Sequence, residues 1–342
     1  MTYKDIFISI AVMNDLSPTR LPLATSQMVI ALKAAAEPTR LRILLLLTSG
    51  ELNVKDLTQI LGQSQPRLSR HLKLLVEAGL IERIREGSWV YFHLSDRTAN
   101  GRLASVLLAM ADLNDPIVIR DRERAEHLKR DREAIAQQYF ERHASDWDQI
   151  RSLHVAEAEV EAAMSEALGP APIEFLVDLG TGTGRTLELL AERYQRAVGI
   201  DINQAMLAYA RSKIDNAGLR NAQVRHGDIY NLALMPDEAD VVVMHQILHY
   251  LSDPQRALDE AARILRPGGR LLIVDFAPHE LEFLRDHAHE RLGIGTDTMT
   301  NWLADSGLKP VTTRHLPPSP QHGDKTDNLT VSLWLAEKSE AA

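Results

Sequence analysis

The chain has 342 residues, a net charge of −9 and no cysteine. That length accommodates two domains, and the missing cysteine excludes disulfides, thiolate metal sites and a cysteine nucleophile. No apolar run is long enough to span a bilayer, and no cationic N-terminal stretch precedes a small-residue cleavage site, so a cytoplasmic protein without a membrane partner is expected.

Residues 1–24 carry little pattern; Ile6, Phe7, Ile8 and Ile10 read either as a short strand or as part of a mobile tail. Residues 25–100 hold a net charge of +3, which leaves −12 for 101–342. A basic segment joined to an acidic one suggests that only the first meets nucleic acid. Ser26 to Ala36 has a helical pattern. A second helix starts at Pro38 and ends near Gly50, and a short one runs from Asn53 to Leu61 until Gly62 breaks it. Ser64-Gln65-Pro66 then starts a further helix, with Ser64 as N-cap and Pro66 in the first turn. Leu68, Leu72, Leu75 and Val76 fall on its inner side and Gln65, Arg67, Ser69, Arg70 and Lys73 on or near the other. Leu80 to Arg85, a turn at 86–88 and Trp89 to Leu94 read as a β-hairpin.

Two short helices ahead of a hairpin make a winged helix-turn-helix domain, residues 25–98. Its second short helix is expected in a DNA major groove and its hairpin, with Arg85, on the flanking backbone or in the minor groove. Arginines contact phosphate or guanine, and Gln65 pairs with adenine. The competing reading is a solvated helix face. Pro38-Thr39-Arg40-Leu41-Arg42, Ser64-Gln65-Pro66-Arg67-Leu68-Ser69-Arg70-His71-Leu72-Lys73 and Glu77-Ala78-Gly79-Leu80 resemble the ArsR family of dimeric repressors. The resemblance implies a homodimer on double-stranded operator DNA with an inverted repeat. The helix before the turn has no paired cysteines, so thiolate metal or arsenic sensing there is excluded.

Residues 99–137 read as long helices interrupted at Pro116: a dimerisation helix with an apolar stripe of Leu103, Val106, Leu107 and Met110, then a charged connector over 120–133. A second domain, 138–342, opens with Tyr139 and Trp147, either a lid over a ligand or ordinary core packing. Trp147 to Leu168 has helical spacing.

Phe175-Leu176-Val177-Asp178-Leu179 reads as a buried strand and Gly180-Thr181-Gly182-Thr183-Gly184 as the turn after it, followed by a helix from Arg185. This is the nucleotide-binding corner of a doubly wound sheet. A second strand ends at Asp201, seventeen residues after Gly184, where a carboxylate can accept both hydroxyls of a ribose. The glycine spacing differs from the dinucleotide fingerprint. It resembles motif I of class I S-adenosylmethionine (SAM) methyltransferases. Val224 to Ile229, with Asp228, and Leu265 to Asp275 resemble later segments of that family. The resemblance covers residues 25–335 when ArsR-type regulators fused to methyltransferases are included, and the second domain is most similar to the ubiquinone-biosynthesis type.

What the resemblance implies is an α/β chain: a winged helix plus a Rossmann-like methyltransferase domain with a seven-stranded, mostly parallel sheet. The cofactor would be SAM, with S-adenosylhomocysteine (SAH) as product or effector. Gly180, Thr181, Gly182 and Gly184 would hold its methionine part, Asp201 its ribose hydroxyls and Asp228 its adenine amine, with Asp178, Ile202, Met206, Gly227, Ile229, His245, Tyr139 and Trp147 as further cofactor-binding residues.

After the fourth strand, Asp240 to His245, comes a His-rich region: His245, His249, Tyr250, His279, His287 and His289. Methyl transfer from a sulfonium needs alignment and, for a protonated acceptor, a base. His249 is the first choice, then His245; structural histidines and a His/Asp metal site are the competing readings, and no metal is assigned. Residues 280–292 read as a helix, 299–306 as another, and 309–315 with 328–335 as an antiparallel pair joined by a Pro-rich loop at 317–324. No Asn/Asp-Pro-Pro-Tyr follows strand four, which argues against adenine or glutamine amines; the missing cysteine argues against cytosine C5 and thiol-dependent arsenic methylation. A small-molecule acceptor is expected. Two functions stay open: a regulator that also methylates, and a sensor that binds SAM or SAH without turnover.

Overall fold

The computed structural model describes residues 23–86, 89–95, 98–145, 147, 157–318 and 329–339. Most of the N-terminal tail, the hairpin tip, Leu153 and most of the Pro-rich loop lie outside them. The chain forms two compact units: residues to Ile84 with Val90–Glu126, and Arg85–Trp89 with His127–Ala342.

The first unit contains α1 (Thr25–Ala35), α2 (Pro38–Leu46), β1 (Leu52–Asn53), α3 (Val54–Leu61), α4 (Gln65–Glu77), β2 (Ile81–Glu86), β3 (Trp89–Leu94) and α5 (Ala99–Ala109), with sheet order β1-β3-β2. Helix starts follow local chemistry. Glu37 accepts the Arg40 N–H at 2.9 Å ahead of Pro38. Asn53 and Asp56 form a reciprocal capping box. Gly62, at φ +64°, ends α3 and turns the chain into α4. Ser64 sits at the N-cap of α4 as expected, but its hydroxyl makes no capping bond. Helix α4 packs on α1, α2 and α3, burying Leu68, Leu72 and Leu75 with Ile43, Leu44, Leu57 and Ile60. Each such aliphatic side chain contributes about 1.5–3 kcal/mol on full burial.

Helix α6 (Pro116–His143) begins in this unit; Pro116 starts it, and six residues, 110–115, separate it from α5. The charged connector is not wholly solvated. Asp121 is buried and takes two bonds from Arg42, at 2.5 and 2.8 Å. Arg124 donates to the Ile60 carbonyl at 2.9 Å, and Ala125 is buried. Charge density alone hid a packed face at helical spacing.

The second unit contains the rest of α6, α7 (Glu157–Ala167), β4 (Ile173–Leu179), α8 (Arg185–Leu189), β5 (Tyr194–Asp201), α9 (Gln204–Asn216), β6 (Ala222–His226), β7 (Ala239–His245), α10 (Pro254–Ile264), β8 (Leu265–Phe276), α11 (Thr296–Asp305), β9 (Leu308–Leu316) and β10 (Val331–Lys338). The sheet order is β6-β5-β4-β7-β8-β10-β9. The first five strands are parallel, and β10 runs antiparallel to both neighbours. This is the expected seven-stranded, mostly parallel sheet. Val242 and Met244 enter one core and Val241 and Val243 the other, so the apolar run of β7 covers both faces.

One expected helix fails. Within 280–292 only a 3₁₀ turn forms, Glu282–His287, and Ala288 takes φ +66°. The backbone donors of Glu290 and Arg291 go instead to the His249 carbonyl, at 2.9 and 3.1 Å, and Leu292 accepts from His279. Tertiary partners outcompete the helix. Among the described residues no helix is long and apolar enough to cross a membrane.

Candidate functional sites

Strand β4 delivers the glycine turn to the C-terminal edge of the sheet, where such folds bind ligands. Gly180, Gly182 and Gly184 take φ of +70°, +52° and +83°. A Cβ on Gly180 would lie 2.5 Å from Ile247 Cγ1, so the turn after β7 packs directly on the glycine backbone. Asp201, ending β5, accepts the Gly182 N–H and the Asn203 N–H, each at 2.8 Å. Burial raises its pKa, and the backbone N–H groups of Asn203, Gly182 and Ile202 oppose that rise. Asn203 caps α9 through Met206 N at 3.0 Å.

A pocket lies against this edge. Its wall includes eleven expected residues: Gly180, Thr181, Gly182, Asp201, Ile202, Met206, Gly227, Asp228, Ile229, His245 and Trp147. Asp178, Gly184 and Tyr139 are off the wall. Asp178 lies beneath the turn, where its carboxylate accepts the Thr181 hydroxyl at 2.6 Å. Gly184 is the N-cap of α8, with its Cβ direction facing Ala210 of α9. Tyr139 turns away, its hydroxyl 3.2 Å from His287 Nδ1.

The wall also holds Tyr250, named above with the His-rich region, and residues that sequence reasoning missed: Ala136, Gln137 and Phe140 of α6, and Gln246, Ile247 and Leu251 after β7. Ala136 and Phe140 are one helical turn apart, the available signal; assigning 99–137 to a connector obscured it. Phe140, rather than its neighbour Tyr139, is on the wall. Its ring meets Trp147 at 5.2 Å and Tyr250 at 4.7 Å, both edge-on. Burial pushes the Tyr250 hydroxyl well above its ordinary pKa.

His249 is not on this wall. It is 1 % exposed, on a 3₁₀ turn after β7. Its Nδ1 lies 2.6 Å from Asp275 Oδ1, and its backbone N–H donates to Oδ2 at 3.3 Å. The carboxylate places the proton on Nδ1 and leaves Nε2, buried and without a hydrogen-bond partner among the described residues, as the basic nitrogen. His289 and Tyr250 pack on the ring at 4.2 and 4.0 Å. Burial depresses the pKa of nearby His279 to about 4. Among the described residues no group of three or more His, Asp or Glu is placed to hold a metal ion.

In the first unit, Ser64, Gln65, Arg67, Ser69, Arg70 and Lys73 are all exposed, while Leu68, Leu72 and Leu75 face the core. Arg85 is exposed on β2. The expected DNA-facing residues of α4 are therefore all on its solvent-exposed side. Lys73 also pairs with Glu77 at 3.8 Å, a weak exposed i,i+4 contact that DNA can displace.

Residues 37–83 match the model of bacterial regulatory proteins of the arsR family, and residues 177–273 match that of a methyltransferase domain. An uncharacterized 37.1 kDa protein in transposon TN4556 of Streptomyces fradiae is 37% identical over 129 residues, 37% of this chain and 36% of that protein. Demethylmenaquinone methyltransferase of Thermus thermophilus is 42% identical over 120 residues, 34% of this chain and 53% of that protein. The chain spans about a third to a half of the length of the curated relatives it matches. A Haloferax volcanii methyltransferase solved with the Trm112 methyltransferase activator is 22% identical, covering 59% of this chain and 98% of that one at a TM-score of 0.49. The chain joins a helix-turn-helix segment of the arsR regulatory family to a methyltransferase domain.

Proposed function

We propose that this protein is a cytoplasmic DNA-binding transcriptional regulator whose methyltransferase domain takes SAM, transfers its methyl group to a small molecule, and uses SAM or SAH as an effector. The observation that carries this is the composition of the pocket wall. The glycine turn and Asp201 meet Ala136, Gln137 and Phe140 of α6, the helix whose first residues belong to the DNA-binding unit. Asp201 would hold the ribose hydroxyls, Asp228 the adenine amine and the turn at 180–183 the methionine part. Bound there, SAM would supply an activated methyl group and leave as SAH, and a protonated acceptor would need a base from the protein.

A homodimer on an inverted repeat fits the surface of the first unit. Val106 and Met110 of α5 are 61% and 81% exposed, and α1, which packs on α5, exposes Met28, Val29, Ile30 and Leu32. An apolar patch of this kind suits a second copy.

A second reading, a sensor without turnover, is favoured by one observation: His249 is buried off the wall while Phe140, Trp147 and Tyr250 close the pocket. Operator binding at fixed salt without ligand, with SAM and with SAH tests the effector role, and SAH release from SAM tests turnover. Three identical binding curves, with ligand binding confirmed by calorimetry, overturn the effector role.

A further inference from the structure

Resting on that reading, we propose that Asn203 is the residue through which occupancy of the nucleoside site reaches helix α6. The starting point is the hydrogen-bond capacity of Asp201. An ionised carboxylate has about four lone-pair sites. Two backbone N–H groups already use it: Gly182 on Oδ2 and Asn203 on Oδ1, each at 2.8 Å. A ligand carrying a vicinal diol adds two hydroxyl donors. Four donors use all of about four sites, so turning the carboxylate toward the diol lengthens one of its backbone bonds.

Gly182 is the least free to yield. Its turn is pinned by the N–H groups of Gly180 and Thr181 on the Ile200 carbonyl, at 2.8 and 3.1 Å. Asn203 is the other backbone donor, so the yielding falls on it. The Asn203 side chain has two separate engagements. Its Oδ1 caps α9 through Met206 N, and its Nδ2 donates to both the carbonyl oxygen and Oε1 of Gln137, at 3.2 and 3.0 Å. Asn203 is buried, so water does not readily replace these bonds.

Gln137 is one point on a helix held at several others. Lys129 pairs with Asp253 at 3.4 Å and Arg132 with Glu290 at 3.5 Å, and Tyr139 meets His287. These contacts tie α6 to the segments after β7 and β8. The Asn203 link ties it to Asp201, the residue proposed to hold a ribose. Within the first unit the same helix is held by the Arg42–Asp121 pair and the Arg124–Ile60 bond. A ligand that weakens or redirects the Gln137 link thus biases α6, provided its affinity differs between the two helix positions.

The test separates the link from both the fold and the ligand site. Asn203→Ser keeps a capping oxygen and removes the Nδ2 donor; Asn203→Asp does the same with an isosteric carboxylate. In the full-length protein, SAH should change wild-type operator affinity by about 5- to 150-fold, the usual range of coupling. With SAH at saturation, as established by calorimetry for each variant, both variants should show a ratio near one while ligand-free operator affinity stays at the wild-type value. Hydrogen exchange on the wild type gives a second readout: SAH should change amide protection at 134–143. A wild-type ratio of one overturns the effector reading and this inference with it. A wild-type ratio that persists in both SAH-saturated variants, or α6 amides indifferent to SAH, overturns the Asn203 link alone.

Discussion

Replacing Asp201 by alanine is the most direct test of the cofactor site. The carboxylate sits at the end of β5, half-buried, with backbone donors already fixing its position. It is therefore preorganised for the ribose hydroxyls. Hydrogen bonds to a charged group contribute about 1.5–3 kcal/mol, and each 1.4 kcal/mol is about tenfold in affinity. Asp201→Ala should weaken SAH by about ten- to a hundredfold. Asp201→Asn keeps one acceptor, loses the charge and turns an amide N–H toward a backbone donor, so it should fall between wild type and alanine. Calorimetry with SAH measures the affinities. Thermal unfolding checks that the variants fold and that SAH stabilises them less than wild type, since a ligand at a hundred times its Kd stabilises by about 2.7 kcal/mol. Unchanged affinity in folded Asp201→Ala would refute the assignment.

Arg67→Ala and Arg70→Ala, on the exposed face of α4, should each weaken operator binding and reduce its salt slope by about one; equal slopes in a salt titration count against a phosphate or base contact. Val106→Glu with Met110→Glu should convert a dimer to a monomer in sedimentation without lowering the unfolding temperature, and a persistent dimer would place the interface elsewhere. His279 gives a pH signature. Its pKa falls from 6.5 to about 4 on folding, so between those values the unfolded chain binds the extra proton and stability drops as pH falls, by at most about 1.4 kcal/mol per pH unit. His279→Gln should flatten that part of the profile, and an unchanged slope would assign it to other groups.

The elements were legible wherever local chemistry set them. The capped starts at Glu37, Asn53 and Asp253, the left-handed glycines at 62, 79 and 307, and the strand–turn–helix at 173–189 all follow from residues a few positions apart. So did eleven residues of the pocket wall, because the glycine turn, Asp201 and Asp228 all lie at or just past the ends of parallel strands. What sequence did not show depends on long-range partners. Periodicity over 280–292 predicts a helix, but the His249 carbonyl takes two of its donors. The choice between Tyr139 and Phe140 is a single helical phase angle, fixed only by what Tyr250 and His287 offer on either side. The charges of 120–133 look uniformly solvated until Arg42, far away in sequence, claims Asp121.

His249 shows why the enzyme and sensor readings converge on one helix. Asp275 orients the ring and would stabilise the imidazolium formed if Nε2 took a proton, which is the arrangement a general base needs. That nitrogen has no exposed surface, and the ring packs on Tyr250. Tyr250 in turn packs on Phe140, on the same helix that Asn203 holds through Gln137. For an acceptor to reach Nε2, the rings packed on His249, those of Tyr250, Phe276 and His289, would have to part. A retreat of Phe140 with α6 would free one side of Tyr250, so on the proposed reading turnover and signalling would draw on the same helix.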